Sequence, residues 1–232
     1  MKIYKLLIAG VCALLFFACK KEDNPSADEL GYSYYPINVG DYSTFDVVDS
    51  SFQGVGNTIV TKYQIKEELH DPITVSEETR YEIYRYYKND GNDWNDYPDS
   101  VWTVFNPGNR ILRVQNNVRF VKLVFPFQVN KQWDGNISDT INDPLNYYTM
   151  TEVRRPFKYD NTNYPQTVSV VEQKDSSGVS SNYTVAVYAK DYGLVYYEVR
   201  NYRYQQINGT LVPIVEFGEH TIMKLTAHGR YQ

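Results

Sequence analysis

From Gly31 onward apolar and polar residues alternate over short stretches and no long stretch repeats at helical spacing, so the pattern predicts strands joined by turns. The clearest case runs from Ile59 to Leu69. Ile59, Thr61, Tyr63, Ile65, Glu67 and Leu69 fall on one side of an extended chain, and Val60, Lys62, Gln64, Lys66 and Glu68 fall on the other, as in a half-buried strand. Phe45 with Val47, Val101 with Val104, Leu112 with Val114, Val121 with Leu123, Val168 with Val170, Val185 with Val187, Val195 with Val199, and Met223 with Leu225 mark further strands. The 23 tyrosines agree with this reading, because aromatic side chains suit a pleated surface.

Turn formers punctuate these runs. Asn208-Gly209 accepts the positive φ angles of a type I′ turn and predicts a hairpin between Tyr202 to Ile207 and Thr210 to Phe217. Pro107-Gly108-Asn109 joins Val101 to Asn106 with Arg110 to Gln115 in the same way. Pro213 inside its run predicts an edge position or a bulge, since proline cannot donate to the ladder. The segments Tyr35-Pro36-Ile37-Asn38-Val39-Gly40 and Phe125-Pro126-Phe127-Gln128-Val129-Asn130 share the order aromatic, Pro, apolar, amide, Val, turn former. They read either as a duplicated half-domain or as two unrelated turns that deliver the chain into strands. The expected fold is all-β and mainly antiparallel, one domain over residues 31–232. It is either a sandwich or a strongly curved, partly open barrel-like sheet. A curved sheet would enclose an apolar cavity, whereas a sandwich would leave only its loops for binding.

The first thirty residues follow another pattern. Lys2 and Lys5 precede an apolar stretch from Leu6 to Phe17, and Ala18 places a small residue before Cys19. This start resembles a bacterial lipoprotein signal peptide with its lipid-accepting cysteine. The resemblance implies that residues 1–18 are removed, that Cys19 carries the lipid and that residues 19–30 form a tether. The stretch Lys20 to Leu30, charged and interrupted by Pro25, suits a flexible linker. Lys21-Glu22-Asp23 is similar to the signal that sends lipoproteins of Bacteroidetes-type bacteria to the outer face of the outer membrane, so a surface-exposed, lipid-anchored protein is expected.

Removing residues 1–18 leaves 214 residues and moves the formal charge from -5 to -7. An acidic chain with no basic run is a poor nucleic-acid binder, because such binding rests on Lys and Arg neutralising phosphates. Cys12 leaves with the signal and Cys19 would be lipidated, so no cysteine remains for a disulfide. Stability must come from a core, which a domain of this length can build.

Three phrases carry a wider resemblance: Tyr34-Tyr35-Pro36-Ile37-Asn38-Val39-Gly40-Asp41-Tyr42, Phe125-Pro126-Phe127 through Gln132-Trp133-Asp134-Gly135-Asn136, and Asp191-Tyr192-Gly193-Leu194-Val195-Tyr196. They look like recurring phrases of uncharacterised Bacteroidetes-type outer-membrane lipoproteins. That resemblance implies a β-rich exported domain and brings no catalytic residues with it.

No phosphate-binding Gly-rich loop, no Gly-x-Ser-x-Gly elbow, no His-Glu-x-x-His and no Cys-x-x-Cys occurs, and no cofactor is expected. Glu216 and His220 point the same way on a strand and could share a metal ion, but no third ligand is visible, so no metal site is expected. The run Asn89 to Asp99 holds four aspartates and three asparagines, the oxygen ligands that calcium prefers, yet its glycine is misplaced for an EF-hand, and a solvated hairpin tip is expected in preference to a calcium loop. Adjacent carboxylates at Glu67-Glu68 and Glu77-Glu78 face opposite sides of a strand and make no acid-base pair by themselves. Aromatic residues in polar surroundings are the stronger signal. Trp94, Tyr97 and Trp102 lie within nine residues among Asp and Asn, and Tyr147-Tyr148 and Tyr164 fall in other loop-like stretches. Flat rings beside amides and carboxylates suit a sugar ring. The expected function is a non-catalytic surface binding module for a glycan or protein ligand, with Trp94, Tyr97 and Trp102 as candidate ligand contacts. A carrier of a hydrophobic or lipid ligand is the alternative, and a hydrolase comes third.

Overall fold

The computed structural model describes residues 30–89, 91–137 and 146–231. The signal segment 1–18, Cys19 and the tether as far as Glu29, and Asp90 of the Asn-Asp run, lie outside the described residues. After a 3-10 turn at Tyr32–Tyr34 come thirteen strands: β1 (Asp41–Gln53), β2 (Thr58–Val75), β3 (Glu78–Asn89), β4 (Ser100–Phe105), β5 (Arg110–Gln115), β6 (Val118–Val124), β7 (Gln132–Asp134), β8 (Asn136–Ile137), β9 (Tyr147–Tyr159), β10 (Thr162–Ser176), β11 (Ser180–Ala189), β12 (Gly193–Ile207) and β13 (Thr210–Arg230). All belong to one antiparallel sheet in the order β7-β9-β10-β11-β12-β13-β1-β2-β3-β4-β5-β6-β8. One sheet, not two, decides between the architectures the sequence leaves open: the fold is the strongly curved one.

Its two ends belong to consecutive pieces of chain. Strands β7 and β8 are separated only by Gly135, whose N–H donates to Asn146 O at 2.7 Å and whose carbonyl accepts from Val121 N–H at 2.9 Å. Gly135 thus bridges the β9 side and the β6 side, and the sheet is a nearly closed barrel with a short seam. A side chain at this position would overlap the buried ring of Tyr148, which explains the glycine.

Counting β7 and β8 as one interrupted strand, the barrel consists of two six-strand halves, each introduced by one of the two echoing segments. Gly40 and Asn130 both have positive φ, at 84° and 64°. Asp41 N–H donates to Asn38 O, and Lys131 N–H to Gln128 O, each at 3.1 Å, so the two segments make the same turn. The Phe125-Pro126 bond is cis. The 3-10 turn just before the first segment packs on the second segment, with the rings of Tyr34 and Phe127 edge to face at 5.1 Å and those of Tyr32 and Phe125 at 4.8 Å.

The predicted hairpin at Asn208-Gly209 is present, with φ of 51° and 77° at its two central residues and strands ending at Ile207 and starting at Thr210. The Pro107-Gly108-Asn109 turn joins β4 to β5. Pro213 lies beyond the last β1 partner of β13, Phe217, and beside a register shift against β12, so it meets both conditions that a strand proline requires. Residues 147, 148 and 164 differ from the sequence reading. Tyr147 and Tyr148 start β9 and Tyr164 lies in β10, with Tyr148 and Tyr164 buried.

The main core fills the barrel at the end where the echoing segments enter. Tyr34, Ile83, Val104, Ile111, Leu123 and Phe125 are among its buried members. A second layer inside the wall holds Phe45, Val47, Ile65 and Met223. Outside the wall, the bent β9–β10 hairpin brings Phe157, Tyr159 and Tyr164 over Val187, Val195 and Tyr196.

Candidate functional site

The side of β2 that carries Ile65 and Leu69 also carries Glu67, so the alternation that builds the core forces a carboxylate into the barrel. Opposite it stand two guanidiniums. Arg85 Nε donates to Glu67 Oε1 at 2.8 Å and Arg113 Nη2 donates to the same oxygen at 2.5 Å. The two arginine side chains are 7% and 6% exposed, which makes this a buried triad and not a surface pair. Burial alone would raise the Glu67 carboxyl, but Arg113 and Arg85 together hold it below the usual carboxylate range. Arg85 also donates from Nη1 to Tyr87 Oη at 2.9 Å.

Trp102 is the floor of this triad. The Arg85 guanidinium sits 3.6 Å from its ring centroid and that of Arg113 sits 4.7 Å away, both within cation–π range. The indole N–H of Trp102 and the Nε–H of Arg113 are fully buried and have no hydrogen-bond partner among the described residues.

A second buried pair lies close by. Lys122 Nζ donates to Glu172 at 2.9 and 3.1 Å. Lys122 is skipped by the β5–β6 ladder, where Ile111 pairs Leu123 and Leu112 pairs Val121. Glu172 is skipped by the β10–β11 ladder, where Val171 pairs Val185 and Gln173 pairs Thr184. Both partners of this ion pair are therefore β-bulge residues, and bulges re-aim the side chain they carry. Burial, and then the neighbouring Glu172 carboxylate, keep the Tyr148, Tyr188 and Tyr197 phenols well above their ordinary range, so all three are neutral hydroxyls lining the interior.

Two cavities meet at these residues. One of about 470 Å³ lies at the end where the chain enters the barrel, bordered by Tyr35, Tyr42, Asp191, Tyr192 and His228. The other, of about 230 Å³, is bordered by Trp102, Arg85, Lys122, Glu172, Tyr197 and Met223. Glu67, Arg113 and Leu194 line both. The Glu67–Arg113 ion pair is thus a partition between two chambers of one barrel. The larger falls in the range of about 300–1,000 Å³ typical of small-molecule sites and the smaller lies below it, and the mixture of aliphatic, aromatic and few charged groups is the usual lining.

The three aromatic residues proposed from the sequence do not share one place. Trp102 is on β4 and faces the interior. Trp94 lies in the β3–β4 loop against the outer face, with the ammonium groups of Lys66 and Lys88 at 5.3 and 5.2 Å from its ring. Tyr97 is 82% exposed. In the same loop Asp99 accepts from Asn95 Nδ2 and from Tyr87 N–H, so the carboxylate that the sequence offers to calcium is held by its own neighbours. His220 faces Glu198 at 2.9 Å. Among the described residues no three His, Cys, Asp or Glu side chains gather as metal ligands. Glu67 and Glu68 point to opposite faces as expected, Glu68 pairing with Lys66 at 2.8 Å on the outside.

No known protein family matches this chain. No curated protein matches it either. Solved structures to which it is similar include lipovitellin, reported for its lipid-protein interactions, at 10% identity over 85% of this chain and 26% of that one, with a TM-score of 0.42. An assigned exported protein of YmcC-like fold from Bacteroides fragilis follows, at 9% identity over 83% and 98% and a TM-score of 0.37. An assigned lipoprotein from Parabacteroides distasonis gives 13% identity over 83% and 98% and a TM-score of 0.31. At these scores no residue role is transferred from any of them.

The buried charges were the part that sequence reasoning missed. The signal was present: Glu67 and Arg113 each fall on the apolar side of an alternating strand, between Ile65 and Leu69 and beside Ile111.

Proposed function

We propose that the protein is a lipid-anchored carrier or receptor that encloses a small amphipathic ligand inside its barrel, held at the outer membrane through Cys19. The observation that carries this reading is the pair of adjoining cavities inside one nearly closed sheet. A purely structural barrel of this size would fill its interior with aliphatic side chains, as the part near Val104, Ile111 and Leu123 does. Space is retained instead where polar and apolar groups meet. The chain enters the barrel through Ser33, Tyr35 and Pro36, which border the larger chamber, so a ligand leaving that chamber emerges on the side from which the chain enters.

The test is saturable uptake of an environment-sensitive lipophilic dye and its displacement by dodecanol. Leu194 borders both chambers, so Leu194→Trp should fill their junction and weaken uptake by roughly tenfold or more while leaving the unfolding midpoint within a few degrees. Absence of saturable uptake, or uptake unchanged in Leu194→Trp, overturns the reading.

A carbohydrate ligand at the β3–β4 loop is the second reading. It is favoured by the exposed ring of Tyr97, which is free to stack on a sugar. A glycan array with Tyr97→Ala as control tests it.

A further inference from the structure

We infer that the barrel interior selects ligands bearing a carboxylate, seated on the unpartnered N–H groups of Trp102 and Arg113. The inference deepens the carrier reading and rests on it. Three observations support the selection.

The first is charge. Around the smaller chamber stand three cations, Arg85, Arg113 and Lys122, against two carboxylates, Glu67 and Glu172. An uncompensated charge removed from water is costly, so a chamber with one excess cation favours a singly charged anion. A phosphate dianion would overshoot this balance and leave the excess on the other side.

The second is donor supply. Buried polar groups in folded proteins almost always find partners, and the exceptions call for an explanation. Among the described residues two fully buried donors, Trp102 Nε1 and Arg113 Nε, have no partner, and both side chains line the same chamber. A carboxylate offers two acceptor oxygens, one for each. Glu67 already occupies Nη2 of Arg113, which leaves the Nε edge for a ligand.

The third is rigidity. The Trp102 ring is pinned under two guanidiniums, Arg85 is fixed further by Tyr87, and Arg113 is tied to Glu67. Donors held in place lose little freedom when they bind, which is the condition for selective recognition. An alkyl tail attached to the carboxylate would run along Val47, Ile65, Leu194 and Met223.

The experiment compares dodecanoic acid, dodecanol and methyl dodecanoate, each displacing the lipophilic dye from the purified protein at a pH where the acid is ionised. The acid should bind roughly tenfold tighter than the alcohol or ester, the increment expected from hydrogen bonds to a charged group. Arg113→Gln should abolish that preference, so that the acid and the alcohol bind within about twofold of each other. Trp102→Phe keeps the ring beneath the arginines and removes one N–H, so it should lower acid binding relative to alcohol binding by roughly three- to tenfold, which also covers the case in which Arg113→Gln fails to fold. Equal binding of all three compounds by wild type overturns the carboxylate preference and leaves the carrier reading standing. An acid preference that survives both substitutions also overturns it, by placing the anion elsewhere. If none of the three binds, the carrier reading falls and this inference with it.

Discussion

Replacing Glu67 by glutamine tests whether the interior charges are a structural unit. Glu67 and Glu68 are neighbours with the same side-chain exposure, 12%, so burial by itself does not distinguish them. Their partners do. The carboxylate of Glu67 holds two guanidiniums that are 7% and 6% exposed and have no other carboxylate bonded to them among the described residues, whereas Glu68 holds Lys66 and His70, at 17% and 41%, on the outer face where water can replace the lost contact. Removing one member of a buried ion cluster costs about 3–5 kcal/mol, because the remaining charges stay buried and unpaired. An outer-face pair is worth about 1 kcal/mol or less. With a urea m-value of about 3 kcal/mol/M for a domain of this size, Glu67→Gln should lower the unfolding midpoint by about 1–2 M and Glu68→Gln by about 0.3 M or less.

The same variant fixes the sign of the pH dependence. Burial pushes the Glu67 carboxyl up and the two arginines pull it down further, so its folded pKa lies below the unfolded value of about 4.3. Its stabilisation is complete above that unfolded value and is lost as pH falls through the folded one. The stability gap between wild type and Glu67→Gln should therefore be constant near neutrality and narrow in acid below about pH 4. Equal urea midpoints for Glu67→Gln and Glu68→Gln, or a gap that persists undiminished into strong acid, would refute the argument.

Gly135→Ala should destabilise by about 2 kcal/mol, seen as a melting temperature lower by about 4–8 °C, because the new methyl overlaps the buried Tyr148 ring at the seam. A melting temperature unchanged within a degree would mean that the seam does not need its glycine. Gly209→Val should cost ~1 kcal/mol or more in urea unfolding, since a β-branched residue resists the positive φ of 77° found there. Cys19→Ser should move the protein from the membrane to the soluble fraction, and retention in the membrane would remove the anchor. On intact cells, added protease should digest the domain if it faces outward.

Much of the fold was legible because its signals are local. Alternation along β2 and the Asn-Gly turn at residues 208 and 209 each depend on a few neighbouring residues, and both appear in the barrel as read. The β9 strand was obscured by its own exceptions. Pro156 sits in its one-sided stretch, and Arg154, at φ of 53°, is skipped where Thr167 pairs Arg155 and Val168 pairs Val153, so its pattern never completes two clean alternations. Trp102 shows the limit on sites. Its nearness in sequence to Trp94 and Tyr97 suggested a shared surface, but the loop ends at Ser100, and two residues into β4 the pleat turns the side chain inward. The partners that matter to it, Arg85 and Arg113, come from the strands on either side, which only the sheet order brings together.

The three phrases that carry the lipoprotein resemblance gain a physical meaning from that order. Tyr35, Asp41 and Tyr42 from the first and Asp191, Tyr192 and Leu194 from the third line the larger chamber, although about 150 residues separate them in a chain whose neighbouring strands are mostly consecutive. The second phrase supplies Phe127, which packs on Tyr34, and Gly135, which spans the seam. A closed sheet makes this meeting necessary: the first strand of the first half pairs with the last strand of the second, and the last of the first half with the first of the second. Both echoing turns are thereby drawn to one end of the barrel, where the second packs into the core and the first borders the chamber left open. The residues that shape that end are thus the ones that deliver the chain into each half, so the closure of the fold and the geometry of the cavity depend on the same few positions.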